Sequence, residues 1–436
     1  MISYIIVRKS SFFVERTLFI MDILLSVSIA LISGLLITRI TKIFGLPAVT
    51  GYLIAGVIIG PYCLGHFGLT SLFSSADGVA RLGIISDVAL GFIAFSIGTE
   101  FKLDSLKKIG KQATIVGIVQ ALGAMVFVDA ALIGLHFILG EEVLPLTVAV
   151  TLGAIATATA PAATLMVVKQ YKAKGPLTDI LLPVVALDDA VGLVCFAVSF
   201  GIARALQSGE IDIISIIVNP VVEIVASLIL GTVMGIIFNL TEKLFASNSK
   251  RLCISITFVM LTVALSMIEF KIGPVTVGFS SLLVCMMLGT VFCNVCENSI
   301  ELMDRTDKWN MPILVLFFVI SGATLQFDVF ASPAIIGVGI VYIIMRSFGK
   351  YVGSAASAKL TGCAPNIVKY LGITLLPQAG VSIGMAVTAA AELGAEGQLI
   401  RNIVLFAVLI YELIGPMLTK IALTKAGDIQ PKNLKS

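Results

Sequence analysis

The sequence predicts an all-α polytopic membrane protein of about thirteen transmembrane helices, built as an inverted repeat around two crossed discontinuous helices. Three observations predict it. Of 436 residues, 58% are hydrophobic and only 13% charged, against roughly a quarter charged in soluble domains. The Lys and Arg residues fall mainly in alternate loops. Two apolar stretches, seven apart in order, are interrupted at their centres by proline and polar residues.

A helix crossing the hydrocarbon core needs about 20 mostly apolar residues. Such stretches lie at about 20–38, 46–63, 82–99, 112–138, 144–168, 177–204, 214–239, 252–270, 275–295, 310–326, 333–357, 366–391 and 400–424. They leave no room for a soluble domain, which excludes an ordinary soluble enzyme and a nucleic-acid binder. Residues 21–424 read as one transmembrane domain, with 425–436 as a short tail. Met21 opens MDILLSVSIALISGLL, a natural start for the first span, so 1–20 read as an N-terminal extension. A cleaved signal peptide fits less well, because the apolar run passes into Arg39 and Lys42 without a small-residue cleavage site.

The positive charges set the orientation. Of 29 Lys and Arg, sixteen lie in loops after odd-numbered spans, among them Lys107, Lys108, Lys172, Lys174, Lys250 and Arg251. Four lie after even-numbered spans (Arg81, Arg204, Lys271 and Arg401) and four near the C-terminus. Positive residues mark the cytoplasmic side. The C-terminus is therefore expected in the cytoplasm and the N-terminus outside, and a miscount by one span would scramble the partition. Arg8, Lys9 and Arg16 precede the first span and are its exception.

Seven cysteines, odd in number and mostly within spans, give no disulfide framework. Cys293 and Cys296 have CxxC spacing, but no second pair or nearby His completes a zinc site. His66 and His136 fall near span ends and take no role.

Backbone groups facing lipid must be hydrogen-bonded, so a broken span is buried or lines a cavity. The fifth span reads GAIATATAPAATLMVV, with Thr157, Thr159 and Pro161 at its middle. The twelfth reads GITLLPQAGVSIGMAV, with Pro377, Gln378, Gly380 and Gly384 at its middle. One such helix reads most simply as a proline kink. Two, separated by an odd number of crossings, run in opposite directions, and each is the middle member of a triplet, within 112–204 and 333–424. That is the sequence trace of an inverted repeat with binding near the midplane.

The sixth span, LLPVVALDDAVGLVCFAV, places Asp188 and Asp189 mid-membrane. One charged side chain at the bilayer centre costs about 2.5–3.5 kcal/mol on insertion scales. Adjacent helical residues point about 100° apart, so one carboxylate can face a cavity while its neighbour meets another helix. The matching triplet supplies Arg346 and Lys350, four apart on the eleventh span, with Gly353, Ser354, Ala355 and Ala356 following. Lysine can release its proton when its partner is removed, whereas arginine stays charged. Lys350 is therefore the favoured charge partner and Arg346 the second choice. Glu412 on the last span lies near enough to matter; Asp129 and Glu223 read as lumen-facing or interhelical hydrogen-bonding groups.

Together these residues resemble a known family. The second span GLPAVTGYLIAGVIIGP, then GFIAFSIGTEF, TATAPA, LDDAVGL, FFVISGATL, FGKYVG and LLPQAGVSIG are similar, in order and over about 30–424, to the monovalent cation–proton antiporter superfamily. The paired aspartates resemble its electrogenic two-aspartate, Nap- and Kef-like branch. The resemblance implies that Asp189 binds a monovalent cation and a proton in competition, with Asp188 beside it and paired to Lys350. Thr157, Thr159, Pro161, Gln378 and Gly380 would line the site from the broken helices. It implies an inner-membrane homodimer that exchanges Na+, with K+ or Li+ as alternatives, for H+ in pH homeostasis, without catalysis or a resident cofactor. Kef-type relatives carry a cytosolic nucleotide-binding domain, so control through such a domain is not expected here. A cation channel would need no competition between the ions. An organic-anion transporter of related fold would favour basic groups over a carboxylate pair.

Overall fold

The computed structural model describes residues 2–44, 48–67, 71–99, 101–160, 164, 167–168, 171–208, 218–272, 275–325 and 332–430. Among these residues the regular structure is helical apart from one short hairpin, Phe270–Ile272 paired antiparallel with Val275–Val277. Eight helices among the described residues are long and apolar enough to cross a membrane, and four shorter apolar helices accompany them. The chain divides into two compact units, Met1–Ala89 with Met311–Gln326, and Leu90–Asn310 with Phe327–Ser436.

The first unit contains α1 (Ile2–Ile43), α2 (Ala48–Ile59), the one-turn α3 (Ala76–Ala80), the start of α4 (Gly83–Thr99) and the end of α11 (Ser299–Ala323). Helix α1 runs unbroken through position 20, so the start of the expected first span is not marked by a helix boundary. Ser75 caps α3, its side chain accepting from the Gly78 amide. Gly56 and Gly322 bring α2 and α11 into backbone contact. A Cβ on Gly56 would lie 2.0 Å from the Val319 carbonyl oxygen, and one on Gly322 would lie 2.1 Å from that of Leu53. Close approach at small residues is how apolar helices gain dispersion energy where lipid removes the hydrophobic drive.

The second unit holds α5 (Leu103–Leu139), α6 (Leu146–Ile155), α7 (Pro176–Ser208), α8 (Asn219–Glu242), α9 (Asn248–Ser266) and α10 (Ser281–Val295). It also holds α12 (Pro333–Leu360), α13 (Pro365–Thr374), α14 (Gly380–Glu392) and α15 (Gly394–Ala426). Helix α5 kinks at Gly110, whose φ of 75° a side chain would oppose. Phe238 of α8 stacks on Phe292 of α10 at 4.2 Å between ring centroids.

Two triplets face each other: α5, α6 and α7, and α12, α13–α14 and α15. Their first members, α5 and α12, touch along their backbones. A Cβ on Gly349 would meet the Ala124 Cα at 2.7 Å, and one on Gly353 the Gln120 Cα at 2.9 Å. The glycines flanking Lys350 therefore press α12 onto α5 beside Gln120.

The middle members are the discontinuous ones. Helix α6 stops at Ile155 and α13 at Thr374, and α14 resumes at Gly380. Gly384 lies inside α14 rather than in the break, where a Cβ would come within 2.6 Å of Leu90. The breaks cross and bond: the Ala160 amide donates to the Pro377 carbonyl at 2.8 Å. Thr159 Oγ1 lies 3.2 Å from the Leu375 carbonyl. This is the crossed-helix antiporter fold.

Candidate ion site at the helix crossing

A broken helix leaves carbonyls at one end and amides at the other without intrahelical partners. In water these would be solvated; here two buried cations meet the carbonyls. Arg346, fully buried, donates from Nε to the Ala156 carbonyl at 3.1 Å, and from its two terminal nitrogens to Leu376 at 2.8 Å and Ala158 at 2.7 Å. Its guanidinium lies 4.5 Å from the Tyr411 ring centroid. Arg346 thus ties the C-terminal ends of both half-helices, where the macrodipole favours positive charge.

Lys350 lies one helical turn further along the same face. Its ammonium donates to Asp188 Oδ2 at 2.6 Å, to Thr159 Oγ1 at 2.9 Å and to the Thr157 carbonyl. Those three contacts use its three protons. Lys350 and Asp188 are both fully buried. Asp188 also accepts from Gln120 Nε2 at 2.5 Å and from the Thr159 hydroxyl. Asp188 therefore has a lysine, an amide and a hydroxyl directed at it, as a buried carboxylate requires.

Asp189, next on α7, is 2% exposed. One turn on, Gly192 admits the first break: a Cβ there would lie 2.9 Å from Thr157 Oγ1. Asp189 and Gly192 share a face of α7, so the break runs within one turn of the second carboxylate. Gln378, fully buried, reaches from the second break to the Ile155 carbonyl at 3.2 Å, the Tyr342 hydroxyl at 2.9 Å and Ser382 Oγ at 3.0 Å. Gly380 is the first residue of α14, with open space where a Cβ would stand. Pro161 lies outside the described residues.

Of the other acidic residues within spans, Glu412 is buried on α15. It lies one turn from Gly415, whose Cβ would meet Pro377 Cγ at 2.9 Å. Asp129 presses on Gly153 of α6. Glu223 pairs with Arg204, which also reaches Glu392 at 3.1 Å. The sequence does not single out Gln120, which is neither ionisable nor at a break in a span. An uncharged polar side chain between Gly117 and Gly123, within the apolar stretch 115–128, is the available signal.

The family described as sodium/hydrogen exchanger, transmembrane, matches residues 27–425. The chain belongs to that family. It is a multi-pass membrane protein and a cation/proton antiporter of this family. It is similar to the K(+)/H(+) antiporter subunit KhtU of Bacillus subtilis, 24% identical over 84% of this chain and 85% of that protein. It is also similar to the Na(+)/H(+) antiporter NhaS4 of Synechocystis, 23% identical over 93% of this chain and 97% of that one. Among solved structures, the sodium proton antiporter MjNhaP1 of Methanocaldococcus jannaschii superposes with a TM-score of 0.73. It covers 93% of this chain and 99% of its own at 17% identity, a likeness of fold.

Proposed function

We propose that this exchanger moves one monovalent cation against two protons per cycle, electrogenically, with Na+ as its first substrate. The observation that carries the reading is the fully buried Lys350–Asp188 pair adjoining the buried carboxylate of Asp189. A single acidic site that holds either a cation or a proton, never both, enforces exchange. Asp189 takes that role. When the cation enters, Asp189 gives up its proton and Asp188 turns from Lys350 toward the ion. Lys350, left buried without its counter-charge, releases the second proton. Titrations this strongly coupled belong to the cluster of Asp188, Asp189 and Lys350 as a whole.

Thr157, Thr159, Gln378 and Gly380 line the site from the crossed breaks, and Arg346 fixes the crossing. Access alternates as the two triplets move against the remaining helices. Two carboxylates make a site of high field strength, which favours the smaller ion, Na+ or Li+, over K+. The relative whose name specifies K+ makes potassium the second reading. The chain crosses an inner membrane thirteen times, with its N-terminus outside and its C-terminus in the cytoplasm, and works as a homodimer. Family membership favours neither a channel nor an organic-anion carrier.

The test is reconstitution into proteoliposomes with a trapped pH dye. Addition of Na+, Li+ or K+ salts in turn should drive saturable proton movement with Na+ most effective. Proton movement that does not saturate with cation, or that needs none, defeats the exchange reading.

A further inference from the structure

The helix that carries Asp188 and Asp189 begins without a capping side chain of its own. Position 175, before the first residue of α7, is glycine, and its open amides are met from the far end of the chain. Asp428 Oδ2 accepts from the Thr178 amide at 2.7 Å and from the Thr178 hydroxyl at 2.8 Å. The Asp428 carbonyl accepts from the Lys174 amide at 2.9 Å. Gly175 leaves the space the carboxylate occupies, since a Cβ there would stand 2.3 Å from Asp428 Oδ1.

The approach is built rather than incidental. Helix α15 ends at Gly427 with φ of 91°, a left-handed cap that turns the chain back, and the amides of Asp428 and Ile429 donate to the Leu423 carbonyl. Asp428 is 3% exposed and Ile429 2%. Ile429 packs into a core shared with Leu177, Leu181, Ile367 and Leu371, so the turn is held from α7 and α13 together. A carboxylate on a helix N-terminus gains both from hydrogen bonds to open amides and from the macrodipole.

We infer that Asp428 is a positioning residue for the cation site: docked on the N-terminus of α7, it joins the two triplets into one body and holds the carboxylate pair in register with the crossed breaks. The inference rests on the proposed exchange at Asp189. Helices α7 and α15 are the third members of the two triplets. At their other ends Gln207 of α7 donates to the Leu393 carbonyl at 3.1 Å, so the pair is tied at both ends. If Asp428 lets go, the N-terminus of α7 loses its hold on the end of α15 while the ties at Gln207 and Asp188 remain, and the geometry at Asp189 loosens while the exchange chemistry persists.

Two measurements test this. In proteoliposomes, Asp428→Ala should raise the apparent KM for the cation about fivefold, the equivalent of losing one cap interaction. Vmax per folded, size-exclusion-purified transporter should stay within about twofold of the unmodified protein. Asp428→Asn, which keeps an acceptor but not the charge, should fall between. Unchanged KM in both variants, or a loss of Vmax alone, overturns the inference.

The second measurement needs no variant at 428. Coupling between sites is reciprocal, so saturating cation should slow hydrogen exchange at the Lys174 and Thr178 amides in the unmodified protein. The same cation should leave those amides unchanged in Asp189→Asn. Exchange indifferent to cation in the unmodified protein overturns the inference, even where Asp428→Ala does not fold. Absence of any cation-driven proton movement by the unmodified protein is the separate result that defeats the exchange reading itself.

Discussion

Replacing Lys350 by glutamine is the sharpest perturbation of the proposed cycle. The change deletes an ammonium that donates to Asp188 at 2.6 Å, to Thr159 at 2.9 Å and to the Thr157 carbonyl, in a place from which water is excluded. At that separation the gross attraction of the ion pair is about 6 kcal/mol for an effective dielectric constant near 20. Much of it offsets the desolvation of both groups. Removing one member of a buried pair nonetheless costs about 3–5 kcal/mol, because the remaining charge stays buried without compensation. Here Gln120 and Thr159 still donate to Asp188. The lower end, about 3 kcal/mol, is therefore expected, a fall in melting temperature on the order of 3 °C for a chain of this length. Adding Asp188→Asn should recover more than half of it.

The transport consequence is larger. An exchanger that moves one net charge per cycle gains about 2.3 kcal/mol per 100 mV. A clamped potential of that size then shifts its equilibrium cation ratio about 50-fold. Lys350→Gln removes the second proton, so the ratio should become insensitive to potential while cation-driven proton movement persists at Asp189. The assay sets the potential with valinomycin and a K+ gradient, using Na+ as the transported ion. Lys350→Arg keeps the ion pair with a group that does not deprotonate, and should be stable yet equally insensitive to potential. Arg346→Gln is the control: its hydrogen bonds go to backbone carbonyls and its guanidinium lies over Tyr411, so it should lose stability but keep the voltage response. Loss of that response in Arg346→Gln, with Lys350→Gln behaving normally, refutes the reasoning.

Three further outcomes are expected. Asp189→Asn should abolish exchange for every cation in proteoliposomes while the protein still purifies as a folded species; saturable exchange by this variant removes Asp189 from the site. Gln120→Leu should lower thermal stability by about 1–3 kcal/mol by taking a donor from buried Asp188, which a thermal-shift comparison with Asp188→Asn/Gln120→Leu would read as partial recovery. Gly192→Val should raise the cation KM severalfold with little change in purified yield, because a side chain there meets Thr157 Oγ1 within 2.9 Å; an unchanged KM would mean the first break does not serve the ion.

The architecture was legible because lipid imposes strict rules on sequence. Unbroken apolar runs and the one-sided distribution of Lys and Arg expose the spans. The breaks at Thr157–Thr159 and Pro377–Gly380 stand out because a buried helix cannot lose hydrogen bonds without a reason. Asp188, Asp189, Arg346 and Lys350 were visible for the same cause: charge in hydrocarbon is expensive. Gln120 was not, since an amide within a span carries a small penalty and so a weak signal. The contact of Asp428 with Thr178 spans 250 positions. It joins a tail residue to the first turn of α7, and local composition holds no trace of it. Pattern also gives no basis for dividing the chain between the two compact units, because both are apolar helices with the same periodicity.

Arg346 and Lys350 are four residues apart on one helix face, equally buried, and both touch the first break, yet they meet different chemistry. A guanidinium presents a planar fork that can satisfy several carbonyls at once and does not deprotonate. It suits the crossing, where the dipoles of two half-helices end. An ammonium is a compact charge with a removable proton. In the proposed cycle it suits the position beside Asp188, where a constant charge would have no second proton to release. Exchanging the two residue types would leave the total charge and the sum of hydrogen bonds nearly unchanged. It would put the fixed charge where the proposed cycle needs a variable one. In the proposed cycle, the order of these two residues along α12 is therefore set by transport rather than by folding.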